Sequence, residues 1–470
     1  MDTSPSTLDG LPTPRRYWAV AAILLGTGLA MLDGTIVTVA LPTMARDLKV
    51  ESSSAVLIVS VYQLTLAMFL LPFSALGIHV GLRRIYQYGQ LALLLSTFLC
   101  FFARSLPFLL VVRVVQALGA SMVLSVSSAL TRSVYPKRLL GLGLSITSLS
   151  LSIASALAPT LGGLVLIVAR WPWIFVAVCP MALLSLLVGR HTLPDNEPRD
   201  DPYDVLGAVL CALTIGLLIS GLESLVHGDS PVIGGFVCVA GAVLAFIFVR
   251  RELDSKLPIL PVDLLMRPVI ALSSIGALAA FMGSMLVLLS LPFRLQQKYG
   301  WSTTEVGAVI TAWPATSAIV APTAGILSDR FPAAILGAVG MAVTLTGLLL
   351  MAFLPVHPTH IDLIWRTALV GSGFGIFLSP NARLIIHAAP KERAASASGL
   401  VGTTRLMGQT LGATVLAALL ASGVGNGPAP ALTAAILASI AMICSLARLR
   451  SPVRVASRAG TQDVDLYEDM

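Results

Sequence analysis

YWAVAAILLGTGLAMLDGTIVTVAL, residues 17–41, is a run of 25 residues broken by a single charge, Asp33. As a helix it would reach about 37 Å, more than the roughly 30 Å of hydrocarbon in a bilayer. It starts too late and runs too long for a cleaved signal peptide. It carries an acid, and no small-residue cleavage site follows a short apolar core, so it reads as a retained membrane helix. The rest of the chain has the same character. Of 470 residues, 56% are hydrophobic and only 11% charged, and the mean hydropathy is +0.89. Soluble domains carry about 25% charged residues. A soluble protein of this length would lack the charge to cover its surface, and disorder is excluded for the same reason.

Thirteen further apolar stretches follow, near 54–76, 85–103, 106–131, 139–168, 172–189, 205–226, 231–249, 268–293, 304–327, 332–355, 362–382, 394–422 and 430–447. Pro and Gly inside several of them do not argue against helices in lipid. The expectation is an all-α membrane protein of fourteen transmembrane helices. Lys and Arg set its orientation. With this count, 21 of them lie on the face that holds both termini and 6 on the other, with Arg113, Arg366 and Arg405 inside spans. Both termini are therefore expected in the cytoplasm. The net charge of +7 then reports membrane orientation and not nucleic-acid binding. Cys100, Cys179, Cys211, Cys238 and Cys444 lie in apolar blocks with no ligand spacing, so neither disulfides nor a metal site are expected.

Two connections are longer than the rest, RHTLPDNEPRDDPYD at 190–204 and RRELDSKLPILPVDLLMR at 250–267. The pair of spans between them looks inserted. Without it, six spans remain on each side, giving halves at 1–189 and 268–450, linkers with the extra pair at 190–267, and a tail at 451–470. The loop SALGIHVGLRR (74–84) and the loop GILSDRFPA (325–333) occupy corresponding places in the two halves. A twofold repeat of six helices is the architecture of rocking transporters.

Six short motifs carry a resemblance. LDGTIVTVALP (32–42) matches the first-span motif of the fourteen-span drug:proton antiporter group of the major facilitator superfamily. RVVQALGA (113–120) is similar to that group's fourth-span motif R-x-x-Q-G-x-G. APTLGG (158–163) resembles the antiporter motif G-P-x-x-G-G, with Ala158 for Gly. RWPWIF (170–175), SPN (379–381) and RLMGQTLG (405–412) also look typical. The resemblance covers essentially the whole chain and implies a major facilitator fold. One departure stands out. The family's loop between spans two and three reads G-x-L-x-D-R-x-G-R-R, and here Ile78 and His79 replace the Asp-Arg pair while Gly81, Arg83 and Arg84 remain. The second-half loop keeps the pair as Asp329 and Arg330. These loop residues, with Pro159, Gly162 and Gly163 of the antiporter motif, are the expected conformational switch elements. The resemblance implies that an acid braces this loop by charge pairing, which an Ile at position 78 cannot do.

Asp33 is the most informative embedded residue. An acid near the bilayer centre costs about 2.5–3.5 kcal/mol on insertion scales and marks a functional site by default. Removal from water favours the protonated form of an acid, so Asp33 is expected to exchange a proton or pair with a cationic substrate. A structural hydrogen bond to a neighbouring helix is the alternative. Spans one and four line the central cavity in the resembled fold, which implies that Arg113 lies near Asp33 and tunes or relays its proton. The alternative is an Arg that ties backbone carbonyls together. Arg366, beside Trp365, reads as structural, and Arg405, with Gln409 at i+4, stays open. Glu223 and Glu305, near outer span ends, are secondary acidic candidates. Tyr62, Gln63, Phe281, Met282, Met285, Trp313 and Phe374 are candidates for a drug site, because aromatic faces attract organic cations and Met adapts to varied shapes.

No ATP-binding loop of the form G-x-x-x-x-G-K-[ST] and no catalytic constellation is present, so an ion gradient is the expected energy source, with no cofactor and no enzymatic reaction. The expected protein is a monomeric, proton-coupled exporter of lipophilic, mostly cationic drugs in a bacterial inner membrane. The alternatives are a transporter of one metabolite, possibly anionic, and a membrane receptor or scaffold, against which the lack of a sizeable soluble domain speaks.

Overall fold

The computed structural model describes residues 10–195, 203–227, 231–254, 259–328, 330–355, 357–390 and 393–450. Asp329 of the second-half loop lies outside them. Among the described residues there are fifteen α-helices and no strand. The first six are α1 (Thr13–Leu48), α2 (Ser52–Val80), α3 (Leu82–Cys100), α4 (Leu106–Val134), α5 (Leu140–Val168) and α6 (Trp173–Thr192). Next come α7 (Val205–His227), α8 (Pro231–Asp254) and the single turn α9 (Val262–Leu265). The last six are α10 (Pro268–Phe293), α11 (Thr303–Leu327), α12 (Ala333–Ala352), α13 (His360–Ala388), α14 (Ala394–Ala421) and α15 (Ala429–Ala447). Fourteen long helices thus stand where fourteen spans were expected. Eleven helices are apolar enough over a full membrane thickness, among the described residues. The first overruns its expected ends at both sides, since α1 has 36 residues.

Local chemistry sets several boundaries. Ser302 caps α11 by accepting from the Glu305 N–H, while the Glu305 carboxylate accepts from the Ser302 N–H, a closed capping box. Thr359 accepts from the Asp362 N–H at the start of α13. Gly81 joins α2 to α3 at φ 108, where a side chain would strain the backbone. Past Pro292 the end of α10 widens into a π-turn over Arg294–Lys298.

The two sets of six helices pack by the same rule. In the first set α1 meets α5 and α6, α2 meets α4, and α3 meets α4 and α6. In the second, α10 meets α14 and α15, α11 meets α13, and α12 meets α13 and α15. The repeat extends to single residues. A Cβ on Gly119 of α4 would stand 2.8 Å from the Gly89 carbonyl oxygen of α3, and one on Gly340 of α12 would stand 2.6 Å from that of Gly373 on α13. Small residues let these helix backbones touch, which supplies the packing energy that lipid does not. The sets join along two seams, α5 with α11 and α2 with α14, which the internal repeat exchanges. The α7–α8 pair sits apart, with α7 reaching both α2 and α14.

Candidate coupling and substrate site

Asp33 and Arg113 form a buried ion pair. Arg113 Nη1 donates to Asp33 Oδ2 at 2.9 Å, and the two residues are 1% and 0% exposed. The second carboxylate oxygen accepts from Gln116 Nε2 at 2.9 Å, and the same nitrogen reaches Thr97 Oγ1 at 2.8 Å. Gln116 Oε1 accepts from Arg113 Nη1 at 2.8 Å, and Arg113 Nε donates to the Ile58 carbonyl at 3.2 Å. The guanidinium also lies over the Tyr62 ring, 4.1 Å from its centroid, and within 5.9 Å of that of Phe175. Each charge is therefore balanced and hydrogen-bonded, as a charge out of water must be. Arg113 Nη2 alone has no partner.

The pair is enclosed. Asp33 is 1% exposed. Both of its hydrogen-bond partners stand on α4, and these are in turn held by Thr97 of α3, Tyr62 and Ile58 of α2 and Phe175 of α6, so the carboxylate faces the interior of the first bundle. Tyr62, expected on a drug-binding wall, packs against Arg113 with its hydroxyl donating to the Ala30 carbonyl. Gln63, its neighbour, is buried with Oε1 unpartnered. The other drug-site candidates gather in the second bundle. The Phe281 and Phe374 ring centroids are 5.3 Å apart, and those of Trp313 and Phe374 are 6.1 Å apart. Met285 is buried and Met282 half-buried on the same helix as Phe281. The structure thus brings Phe281, Trp313 and Phe374 together and separates Tyr62 from them.

The antiporter motif lies on the α5–α11 seam. Thr160 and Thr311 share a hydrogen bond of 2.5 Å, and Thr304 donates to the Gly163 carbonyl at 3.5 Å. A Cβ on Gly307 would stand 2.8 Å from the Pro159 carbonyl oxygen, and one on Gly162 would stand 2.9 Å from that of Ile36. Nearby, Gln296 donates to the Val39 carbonyl at 3.2 Å. Where a loop was expected over 74–84, only Gly81 separates α2 from α3; Ile78 of α2 is 48% exposed and Arg84 of α3 exposed, while Arg83 of α3 pairs with Asp195 and donates to the Arg190 carbonyl. An acid from beyond α6 therefore pairs with the start of α3, at the junction that lacks an acid of its own. Arg330 is exposed. Glu305 serves the capping box and contacts His360 at 2.9 Å. Glu223 accepts from Thr414 Oγ1 at 3.3 Å.

Arg366 bonds Asp362 at 3.0 Å and the Leu350 carbonyl, a structural tie. Two arginines counted among loop charges are instead buried. Arg294 donates to the Met351 and Ala352 carbonyls from the π-turn. Arg448 donates to Asn381 Oδ1, Ser273 and Ser445, at 2.6, 2.9 and 2.6 Å. Both stand at helix ends, where hydropathy reads loop and helix end alike. The bridging role of Gln116 was also missed. Its place three residues after Arg113 was the available signal, since such residues share a helix face.

The Major Facilitator Superfamily family model matches residues 23–269 and 273–465. The chain belongs to this superfamily. It is 41% identical over 447 residues to the uncharacterized transporter YebQ of Escherichia coli (strain K12), spanning 94% of this chain and 98% of that protein. It is 30% identical over 432 residues to the multidrug resistance protein Stp of Mycobacterium tuberculosis (strain CDC 1551 / Oshkosh), spanning 90% and 79%. Among solved structures, a bacterial homologue of the human lysosomal transporter Spinster superposes with a TM-score of 0.68 at 17% identity, covering 94% of this chain and 99% of the other. As a member of the superfamily, the protein is a multi-pass membrane transporter and not an enzyme.

Proposed function

We propose that this major facilitator exports small lipophilic organic compounds in exchange for protons, with Asp33 as the proton-carrying acid. The observation that carries the reading is the closed Asp33–Arg113–Gln116 cluster. A proton on the carboxylate removes the charge that holds Arg113. The guanidinium then keeps the Tyr62 and Phe175 rings, the Ile58 carbonyl and Gln116, and the tie from α1 to α4 loosens. One turn along α1 stands Ile36, whose carbonyl lies against Gly162 on the α5 side of the seam. Protonation thus acts one helical turn from the α1–α5 contact, and Gly163, next to Gly162, meets Thr304 of α11 across the seam. In this reading residues 1–189 and 268–450 rock about the α5–α11 and α2–α14 seams. Pro159, Gly162 and Gly163 close one end, and Gly81, Arg83, Arg84, Asp329 and Arg330 act at the loops of the other. The protein works as a monomer in a bacterial inner membrane with both termini in the cytoplasm.

The drug-resistance name of Stp supports export of lipophilic compounds, and the Phe281–Trp313–Phe374 cluster with Met282 and Met285 offers an apolar wall. The expectation of cationic substrates rested on Asp33 facing the substrate together with the aromatic and Met candidates. With that carboxylate turned into the first bundle and already paired, the substrate's charge must be read from other residues. The test is dye efflux and proton release in proteoliposomes. Loss of gradient-driven efflux in a well-inserted Asp33→Asn protein supports the reading. Full gradient-driven transport by that variant moves the proton elsewhere, with Glu223 or Glu305 next.

A further inference from the structure

Arg405 is the embedded cation for which the described residues supply neither a counter-charge nor a hydrogen bond. Its Nε is buried and unpartnered. Arg113 and Arg366 have carboxylates, and Arg294 and Arg448 have carbonyl or side-chain oxygens. Arg405 sits near the middle of α14, on the helix that forms one of the two seams.

Its direction follows from its neighbours on the helix. Gly402 faces Leu70 of α2, with its virtual Cβ 3.5 Å from Cδ2. Gly408 faces α10, with its virtual Cβ 2.7 Å from the Leu278 carbonyl oxygen. Successive residues turn by 100°. Arg405 therefore points between the α2 face and the α10 face, into the boundary where the first bundle meets the second. On α2 the buried Gln63 Oε1 is also without a partner.

No acid of the described protein is placed to balance it. Asp33 is saturated by Arg113 and Gln116 inside the first bundle. Glu223 is held at Thr414, about 13 Å further along α14 at 1.5 Å per residue. An unneutralised guanidinium in a membrane interior is costly and marks a substrate path. Its planar fork matches a carboxylate or similar oxyanion in two parallel hydrogen bonds.

We propose that Arg405 anchors the anionic group of the transported molecule, so that the substrates are amphiphilic organic compounds bearing a carboxylate or comparable oxyanion. This rests on the reading of the boundary between the bundles as the transport path. A purely cationic substrate would meet Arg405 with no acid to offset it.

The test uses the full chain in lipid nanodiscs without a gradient. Fluorescence anisotropy compares fluorescein with its methyl ester, and rhodamine B with its ethyl ester. Each pair differs in one carboxylate. The carboxylates should bind at least about tenfold more tightly than the esters, the smaller end of what a charge-assisted hydrogen bond is worth. Arg405→Lys should keep much of this preference. Arg405→Gln should lose it while binding the esters as before, which also shows that the variant is folded. The proposal is overturned if the esters bind as tightly as the acids, if neither carboxylate binds, or if Arg405→Gln keeps the preference. It is equally overturned if Arg405→Gln loses acids and esters alike and Arg405→Lys restores neither. A pH gradient across proteoliposomes then separates the two readings. Selective binding of acids that no gradient drives removes proton coupling alone, whereas gradient-driven export of esters but not acids removes the Arg405 site alone.

Discussion

Thr160 and Thr311, on helices from different bundles, meet hydroxyl to hydroxyl at 2.5 Å. Because these side chains touch across the seam, paired cysteines at the two positions test whether it opens. In a Thr160→Cys, Thr311→Cys double variant, oxidation should link the bundles and stop transport, and reductant should restore it. Mass-spectrometric peptide mapping and an efflux assay read the two effects together. Efficient cross-linking with unchanged transport would mean that this seam does not open during the cycle.

Gly307 tests the same seam sterically. A Cβ there would stand 2.8 Å from a backbone oxygen, which cannot swing aside as a side chain can. Gly307→Ala should force α5 and α11 apart, at an overpacking cost of about 1–3 kcal/mol. Lower thermal stability and faster labelling of a single Cys at Thr160 are the expected results. Gly235 has nothing within 4 Å of its virtual Cβ, and Gly235→Ala serves as the control with neither effect.

At the ion pair, removing charge and removing the side chain should part company. Asp33→Asn keeps a hydrogen-bonding group for Arg113 and Gln116, so the protein should insert and remain folded while gradient-driven efflux falls to background. Asp33→Glu should retain part of the transport. Asp33→Leu leaves Arg113 buried with no counter-charge, which costs about 3–5 kcal/mol, and should lower the yield of folded protein in detergent. Size-exclusion profiles and efflux, measured on the same preparations, distinguish these outcomes.

The inserted pair is clamped where α7 begins. Arg251 of α8 donates two hydrogen bonds to the Asp204 carboxylate, at 2.7 and 2.8 Å, and holds that carboxyl below its ordinary range. A lowered carboxyl contributes stability that is complete above its unfolded value, about 3.9, and is lost as the pH falls through the folded value. Asp204→Asn should therefore melt below the wild type at pH 7. The difference should hold down to about pH 5 and shrink in more acid buffer. A melting difference that grew on acidification would contradict the clamp.

Much of this was legible along the chain. The span near 139–168 and the helix Leu140–Val168 nearly coincide, as do 394–422 and Ala394–Ala421. The motif at 158–163 was readable as a place of close helix approach, because Gly removes the side chain that keeps backbones apart. Arg294 and Arg448 were misread as loop charges, since a hydropathy window cannot distinguish a residue just outside the lipid from one folded back under a helix end. That Tyr62 would pack on Arg113 was not legible, because an aromatic residue on a helix has the same sequence signature whether it faces a substrate, lipid or an arginine.

The sequence by itself determined the all-helical membrane fold, the approximate places of its long apolar helices and the few charges placed within them. Bilayer thickness is a constraint on local chain length, and every backbone group in a span must be satisfied within its own helix. Tertiary structure alone decided what those charges face. Asp33 and Arg113 are 80 positions apart, and Arg405 lies far from either. Helical periodicity assigns each residue to a face of its own helix, but the neighbour on that face depends on how distant helices pack. That packing closed Asp33 into a balanced cluster and left Arg405, among the described residues, without an oxygen to hold.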